Sequence, residues 1–494
     1  MPAGGSMIED TTRELPLRTP PQALVDGRWT ALGGATFAVT DPFDGAELVR
    51  ITDAGPADAD AAMEGAWEGF LAWRSTPARE RATVLRRAHD LLLVRQEELA
   101  TLIATEMGKA LPDARGEVAY AAGFLLEYAE RAPRIEGRHA LHERTGARIL
   151  TQQDPVGPCV LVTPWNFPLA MGARKIAPAL AVGCSVVVKP PQQTPLTMLA
   201  LAGILLEAGV HPKAVSVVPT TDSRATTSAL IAHPRTAKLS FTGSTPVGRD
   251  LARQGGEALL RMSMELGGNA PFLVFEDADL DAALEAARIA KFRNGGQACT
   301  SANRFLVHEA VAPAFVDGLV RIADAFVLGR GTDPATTLGP MIDDRAVGKV
   351  RELVGDAVAR GATVRAGGDG RASGRLYPAT VLTDVPAGAR ILREEVFGPV
   401  APVVTFGSEA EAVRMANDTE YGLVAYAFTR DAARADRLSR VLDVGMVGLN
   451  TGLVSNPAAP FGGVKASGFG REGGPEGLEE YLQTRYVASP APGA

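Results

Sequence analysis

Of the three cysteines in the 494-residue chain, two sit in apolar runs and one does not. Cys159 and Cys184 have the setting of small buried hydrophobes. Cys299 closes the segment Phe292-Arg-Asn-Gly-Gly-Gln-Ala-Cys299, where its neighbours are polar or glycine. Gly295 and Gly296 let a bound molecule come close to the backbone there. A free thiol with a pKa of about 8.5 is only slightly ionised at neutral pH, so attack from Cys299 requires local activation. Alone, this segment raises nucleophilic chemistry as a candidate without selecting it.

Other patterns fail their context. Gly468-Phe-Gly-Arg-Glu-Gly473 matches a dinucleotide-binding glycine pattern, but no strand precedes it and no acidic residue follows at the required distance. It reads as a glycine-rich surface turn. His139 and His142 lie in a charged, strand-like segment with no third ligand, so no metal site is expected.

The elements that must position Cys299 follow from hydrophobic rhythm. Leu85, Ala88, Leu92, Leu99 and Ile103 recur at helical spacing, predicting one amphipathic helix over residues 79–107. Beyond it, valine-rich runs at 159–162, 185–188, 215–218, 238–241 and 271–275 alternate with helical stretches at 170–180, 195–208, 222–232 and 246–253. Such alternation predicts parallel strands joined by helical crossovers. A second series follows Cys299, with helices at 311–326 and 345–360 and strands at 400–405 and 445–449. A boundary between two α/β layers is placed near Asn269. Segments 138–153 and 479–488 read as strands outside both series, edges suited to pairing with another subunit.

Composition bounds the function. A net charge of −7 and the lack of a basic run argue against nucleic-acid and anionic-membrane partners. Three widely spaced cysteines suit a reducing compartment better than a disulfide framework. The apolar stretch 176–188 is interrupted by Pro178, Gly183 and Ser185 and is too short to span a bilayer. Residues 1–20 are neither a signal nor a transit peptide and are read as a flexible N-terminal arm of a cytoplasmic protein.

Seven segments in order carry a family resemblance. Cys299 with its preceding Gly-Gln, Met264-Glu265-Leu-Gly-Gly-Asn269, Thr163-Pro-Trp-Asn-Phe-Pro168, Lys189, Phe241-Thr-Gly-Ser244, Glu395-Val-Phe-Gly-Pro399 and Pro460-Phe-Gly-Gly463 resemble the motifs of the aldehyde dehydrogenase superfamily. The likeness runs from about Val25 to Val487. It implies an α/β fold with two doubly wound parallel-sheet domains and a small β oligomerisation arm. The expected division is an NAD(P)-binding domain at 21–137 and 156–268, a catalytic domain at 269–475, and oligomerisation segments at 138–155 and 476–494. A homodimer or homotetramer is expected.

By the same resemblance, Cys299 attacks the aldehyde, Asn166 and the Cys299 N–H hold the oxyanion, and Glu265 activates the water that hydrolyses a thioester. Thr163, Pro164, Trp165, Lys189, Gln192, Gly243, Ser244, Gly248, Glu395 and Phe397 are the candidate cofactor residues. Gly243-Ser244 end a strand where a helix begins, a place suited to a pyrophosphate. Gln192 replaces a glutamate common in NAD-preferring relatives, which turns the expectation toward NADP. Thr220 and Pro246 also depart from the family pattern.

Within the superfamily, 450–456, 460–467 and 170–175 most resemble succinate-semialdehyde dehydrogenases. That likeness makes Arg174, Arg293 and Ser455 candidate ligands for a substrate carboxylate, against the alternative that the arginines form structural ion pairs. Glutarate semialdehyde or another aliphatic or aromatic aldehyde is the alternative substrate. A catalytically inactive binding protein and a non-redox thiol hydrolase are the readings from other classes. Ser301 stands where some relatives carry a second cysteine, so no local disulfide switch is expected.

Overall fold

The computed structural model describes residues 15–490. An eight-stranded sheet runs, edge to edge, Gly468–Phe469, Arg261–Glu265, Lys238–Thr242, Cys159–Val162, Val186–Lys189, Val215–Val217, Ala23–Val25 and Arg28–Thr30. Its five central strands are parallel, and antiparallel strands close both edges. Four of these five strands are buried along their length, as expected for a sheet covered on both faces, and the fifth, Arg261–Glu265, is buried at its Glu265 end. The covering helices are α1 (Pro56–Trp73), α2 (Ala78–Val94), α3 (Gln96–Met107), α4 (Leu111–Arg131), α5 (Ala170–Val182), α6 (Leu196–Ala208), α7 (Ser223–Ala232) and α8 (Thr245–Glu257).

The chain leaves this sheet after Glu265 and enters a second at Ala270. The second sheet has seven strands in the order Thr363–Ala366, Thr380–Thr383, Val400–Phe406, Ala302–His308, Ala270–Val274, Val424–Phe428 and Met446–Leu449. All are parallel except the first. Leu482–Ser489, Arg148–Pro155 and Arg138–Leu141 form a separate three-stranded antiparallel sheet. This is the α/β architecture with a β arm that the sequence implied.

Three expectations need correction. The single helix over 79–107 is two, because the chain turns at Arg95, whose guanidinium bonds Glu207 on α6. The apolar spacing hid the break because both halves bury the same face. Residues 15–20 of the expected flexible arm are anchored: Leu15 and Leu17 pack on the core, and Arg18 pairs with Glu98 at 2.7 Å. The rest of that arm lies outside the described residues. Gly468–Phe469 is a strand and not a surface turn, because it hydrogen-bonds along Met264–Glu265.

Candidate active site

A cavity of about 350 Å³ draws its walls mostly from loops and helices attached to the two large sheets. It brings together Cys299, Asn166, Pro164, Trp165, Gly243, Ser244, Glu395, Phe397, Arg174, Arg293 and Ser455. Thr163, Lys189, Gln192, Gly248 and Glu265 lie outside its lining.

The Cys299 loop follows a π-helical turn at Arg288–Phe292. Asn294, Gly295 and Gly296 then adopt left-handed φ angles of 55°, 61° and 70°. A side chain at 296 would meet the Gly398 carbonyl at 2.3 Å, so the loop passes too close for anything but glycine. Gln297 braces the loop: its Oε1 accepts from Ile342 N at 3.0 Å and its carbonyl accepts from Asn166 Nδ2 at 2.9 Å. Cys299 itself is half-buried. Burial pushes its thiol up to about 12, partly opposed by Arg174, so the resting side chain is a neutral thiol.

Glu265 ends the strand Arg261–Glu265. It is 2% exposed, and neither carboxylate oxygen has a hydrogen-bond partner. Burial, then the charge of Glu472, hold its carboxyl well above the usual range, against the pull of Arg174 and Lys175. Glu472, inside the glycine-rich stretch set aside at the sequence level, is 3% exposed. It lies 2.5 Å from Arg174 Nε and also pairs with Lys175. Nothing in the local pattern marked it, since the strand that buries it comes from distant sequence.

Arg174 combines the two roles weighed for it. Its Nε side faces Glu472, while Nη2 is buried without a partner and the residue lines the cavity. The guanidinium lies 4.2 Å from the Phe461 ring centre, and that of Arg293 lies 5.3 Å from Phe167. Tyr120 of α4 joins this wall with a buried, unpartnered hydroxyl beside Arg174, Ser455 and Arg293. Sequence reading missed it because α4 was not recognised. Its signal would have been an aromatic on the buried stripe of that helix.

At the other end, Trp165 meets Phe397 edge-on, with ring centres 5.4 Å apart. Phe397 holds a left-handed φ of 52°, strain that is commonest at binding sites. Glu395 Oε1 accepts from Gly268 N at 3.0 Å, and burial raises its carboxyl to about 6. Ser244 is the exposed N-cap of α8. Gly248 makes room for Leu266, which a side chain there would meet at 2.3 Å. Lys189 ends its strand 3.1 Å from Ser223 Oγ, with burial lowering its ammonium to about 8. Gln192 is exposed, and Gln193 lines the cavity in its place. Thr163 Oγ1 and Thr242 Oγ1 are buried without partners at adjoining strand ends. Among the described residues no cluster suited to a metal is found, and no helix is long and apolar enough to cross a membrane.

Comparison with known proteins agrees with this geometry. The model of the aldehyde dehydrogenase family matches residues 29–487. A succinate-semialdehyde dehydrogenase of Paenarthrobacter nicotinovorans is 50% identical over 89% of this chain and 98% of its own. A glutarate-semialdehyde dehydrogenase of Pseudomonas aeruginosa is 47% identical over 94% of this chain and 97% of its own. The crystal structure of an Escherichia coli NADP-dependent enzyme superposes with a TM-score of 0.93 at 43% identity, covering 96% of this chain and 98% of that one. The chain belongs to the aldehyde dehydrogenase family and is an NAD(P)-dependent oxidoreductase acting on an aldehyde.

Proposed function

We propose that this enzyme oxidises succinate semialdehyde to succinate, with glutarate semialdehyde as the alternative substrate. The observation that carries this is the wall of Arg174, Arg293, Ser455 and Tyr120 sharing one cavity with Cys299. Two guanidiniums and two hydroxyls suit a carboxylate at the far end of a short chain, and each charge-assisted bond contributes roughly 1.5–3 kcal/mol. The names of the two sequence relatives fall on the same substrate class.

In this reading the Cys299 sulfur attacks the aldehyde carbon and the carbonyl oxygen gains negative charge. Its thiol proton must pass to solvent water as the bond forms, because the resting thiol is neutral. The free N–H of the Asn166 amide and the Cys299 backbone N–H receive the oxyanion, a positioned donor contributing roughly 3 kcal/mol. After oxidation to the thioester, Glu265 takes a proton from the hydrolysing water, its raised pKa making it a stronger base than a surface carboxylate.

The residues present fit a nicotinamide dinucleotide. Thr163 and Thr242 offer unpartnered buried hydroxyls, the start of α8 offers backbone N–H groups, and Trp165 and Phe397 offer apolar faces. Lys189, Gln192, Gly243, Ser244, Gly248, Glu395 and Phe397 are proposed to hold it. When bound, it supplies the hydride acceptor. We favour NADP: Lys189 carries a positive charge beside Ser223, Gln192 brings no negative charge, and a structural relative is described as NADP-dependent.

The division at 268/269 is proposed as the border between cofactor and catalytic domains. The arm at 138–155 and 476–494 exposes Leu141 and Tyr486 and is proposed to pair with a second subunit of a cytoplasmic homodimer or homotetramer. The decisive experiment compares kcat/KM for succinate semialdehyde, glutarate semialdehyde and butanal in wild type and Arg293→Met. The substitution is expected to lower the acid aldehyde about 100-fold and butanal less than about threefold. Equal losses for both would refute carboxylate recognition.

A further inference from the structure

The corner between α3 and α4 touches both stretches of backbone that frame the thiol. Lys109 lies there with a completely buried side chain. Its ammonium donates to Glu117 Oε2 at 2.6 Å and to the backbone carbonyl of Asn166 at 2.7 Å, and it sits 3.9 Å from the Phe167 ring centre. Glu117 Oε1 accepts from Leu169 N at 2.8 Å and Ala170 N at 3.1 Å, fixing the chain directly after Asn166. One turn earlier on α4, Asp113 Oδ2 accepts from Asn294 N at 2.7 Å. Asn294 Nδ2 in turn donates to the carbonyls of Asn166 and Gln297, each at 3.0 Å.

These bonds have a shared result. The Asn166 carbonyl has two lone pairs, and Lys109 and Asn294 use both. The peptide after Asn166 is thereby locked, and with it the direction of the Asn166 side chain. Asp113 holds the left-handed Asn294 and so the loop leading to Cys299. A buried ion pair is a poor choice for stability alone, because apolar residues of like volume serve as well or better. What it supplies here is a fixed direction for a backbone carbonyl.

We propose that Lys109 is a positioning residue for the oxidation: with Glu117 it aims the Asn166 amide at the oxyanion, while Asp113 sets the Cys299 loop in register with it. The proposal rests on the reading that Asn166 receives the oxyanion. The test is a double-mutant cycle. Lys109→Met with Glu117→Gln removes both charges together and keeps an acceptor for Leu169 and Ala170. Expected is a fall in kcat of about 30-fold, with KM and NADPH binding by fluorescence within about threefold of wild type. In an Asn166→Ala background the same pair is expected to change kcat less than about twofold. The same loss in both backgrounds overturns the proposal alone. Unchanged kcat in Asn166→Ala by itself overturns the oxyanion reading and the proposal with it. Lys109→Arg, which keeps the charge, carries the cycle should the pair prevent folding: a loss of about fivefold that vanishes without the Asn166 amide supports the proposal, and one that persists overturns it.

Discussion

At the Cys299 end of the cavity the buried donors are engaged: Lys109 Nζ, Asn294 N, Asn294 Nδ2 and Asn166 Nδ2 each have a partner. The unpartnered atoms there are acceptors, Asn166 Oδ1 and Asn294 Oδ1. At the Arg174 end the situation reverses, with Arg174 Nη2 and the Tyr120 hydroxyl buried and unpartnered. Buried donors without partners are costly in a finished protein. On the proposed reading their place beside Arg293 and Ser455 suits the anionic end of the substrate, whereas the Cys299 end keeps only the second Asn166 amide N–H and the Cys299 N–H for the oxyanion.

The contrast makes its largest prediction at the engaged end. Cys299→Ser is expected to lower kcat at least about 1,000-fold for every aldehyde, whatever its tail, and to abolish a substrate adduct detectable by mass spectrometry. A variant that keeps oxidising would break the comparison outright. Glu265→Gln comes next, with a loss of roughly 100-fold or more and build-up of the acyl-enzyme after a rapid burst. Since the Glu265 carboxyl is held well above the usual range and must be deprotonated to act as a base, turnover should keep rising with pH beyond the ordinary carboxylate pKa of about 4.3. A plateau already reached in mild acid would show that another group is the base.

Tyr120→Phe probes the unpartnered wall. Expected is a loss of about fivefold in kcat/KM for succinate semialdehyde with butanal unchanged, the size of one hydrogen bond. An equal effect on both aldehydes would assign Tyr120 to packing. Smallest is Gln192→Glu, which is expected to shift the NADP-to-NAD preference about threefold toward NAD by adding charge near a 2′-phosphate. Initial rates with each cofactor measure it, and no shift would place the phosphate elsewhere.

Much of this was legible in the sequence, and the failures have physical causes. Strands at 159–162 and 238–242 announced themselves because buried parallel strands are continuous apolar runs. Cys299, Asn166 and the two arginines were found through motif order, not through local pattern. Glu472 and Lys109 were not found, because a buried charge looks like a surface charge until its partner is known. Tyr120 was not found because no helix was read over the segment that forms α4. Gly248, proposed to face the cofactor, also makes room for Leu266, a packing role that its motif does not show.

The strand Gly468–Phe469 carries a consequence for how the protein comes into being. It completes the edge of a sheet whose other members were made far earlier, and the same stretch delivers Glu472 to Lys175. The Met264–Glu265 edge therefore stays unpaired until that late stretch of chain has been made and docks. A chain cut before Gly468 would leave that edge open and the Lys175 ammonium without Glu472.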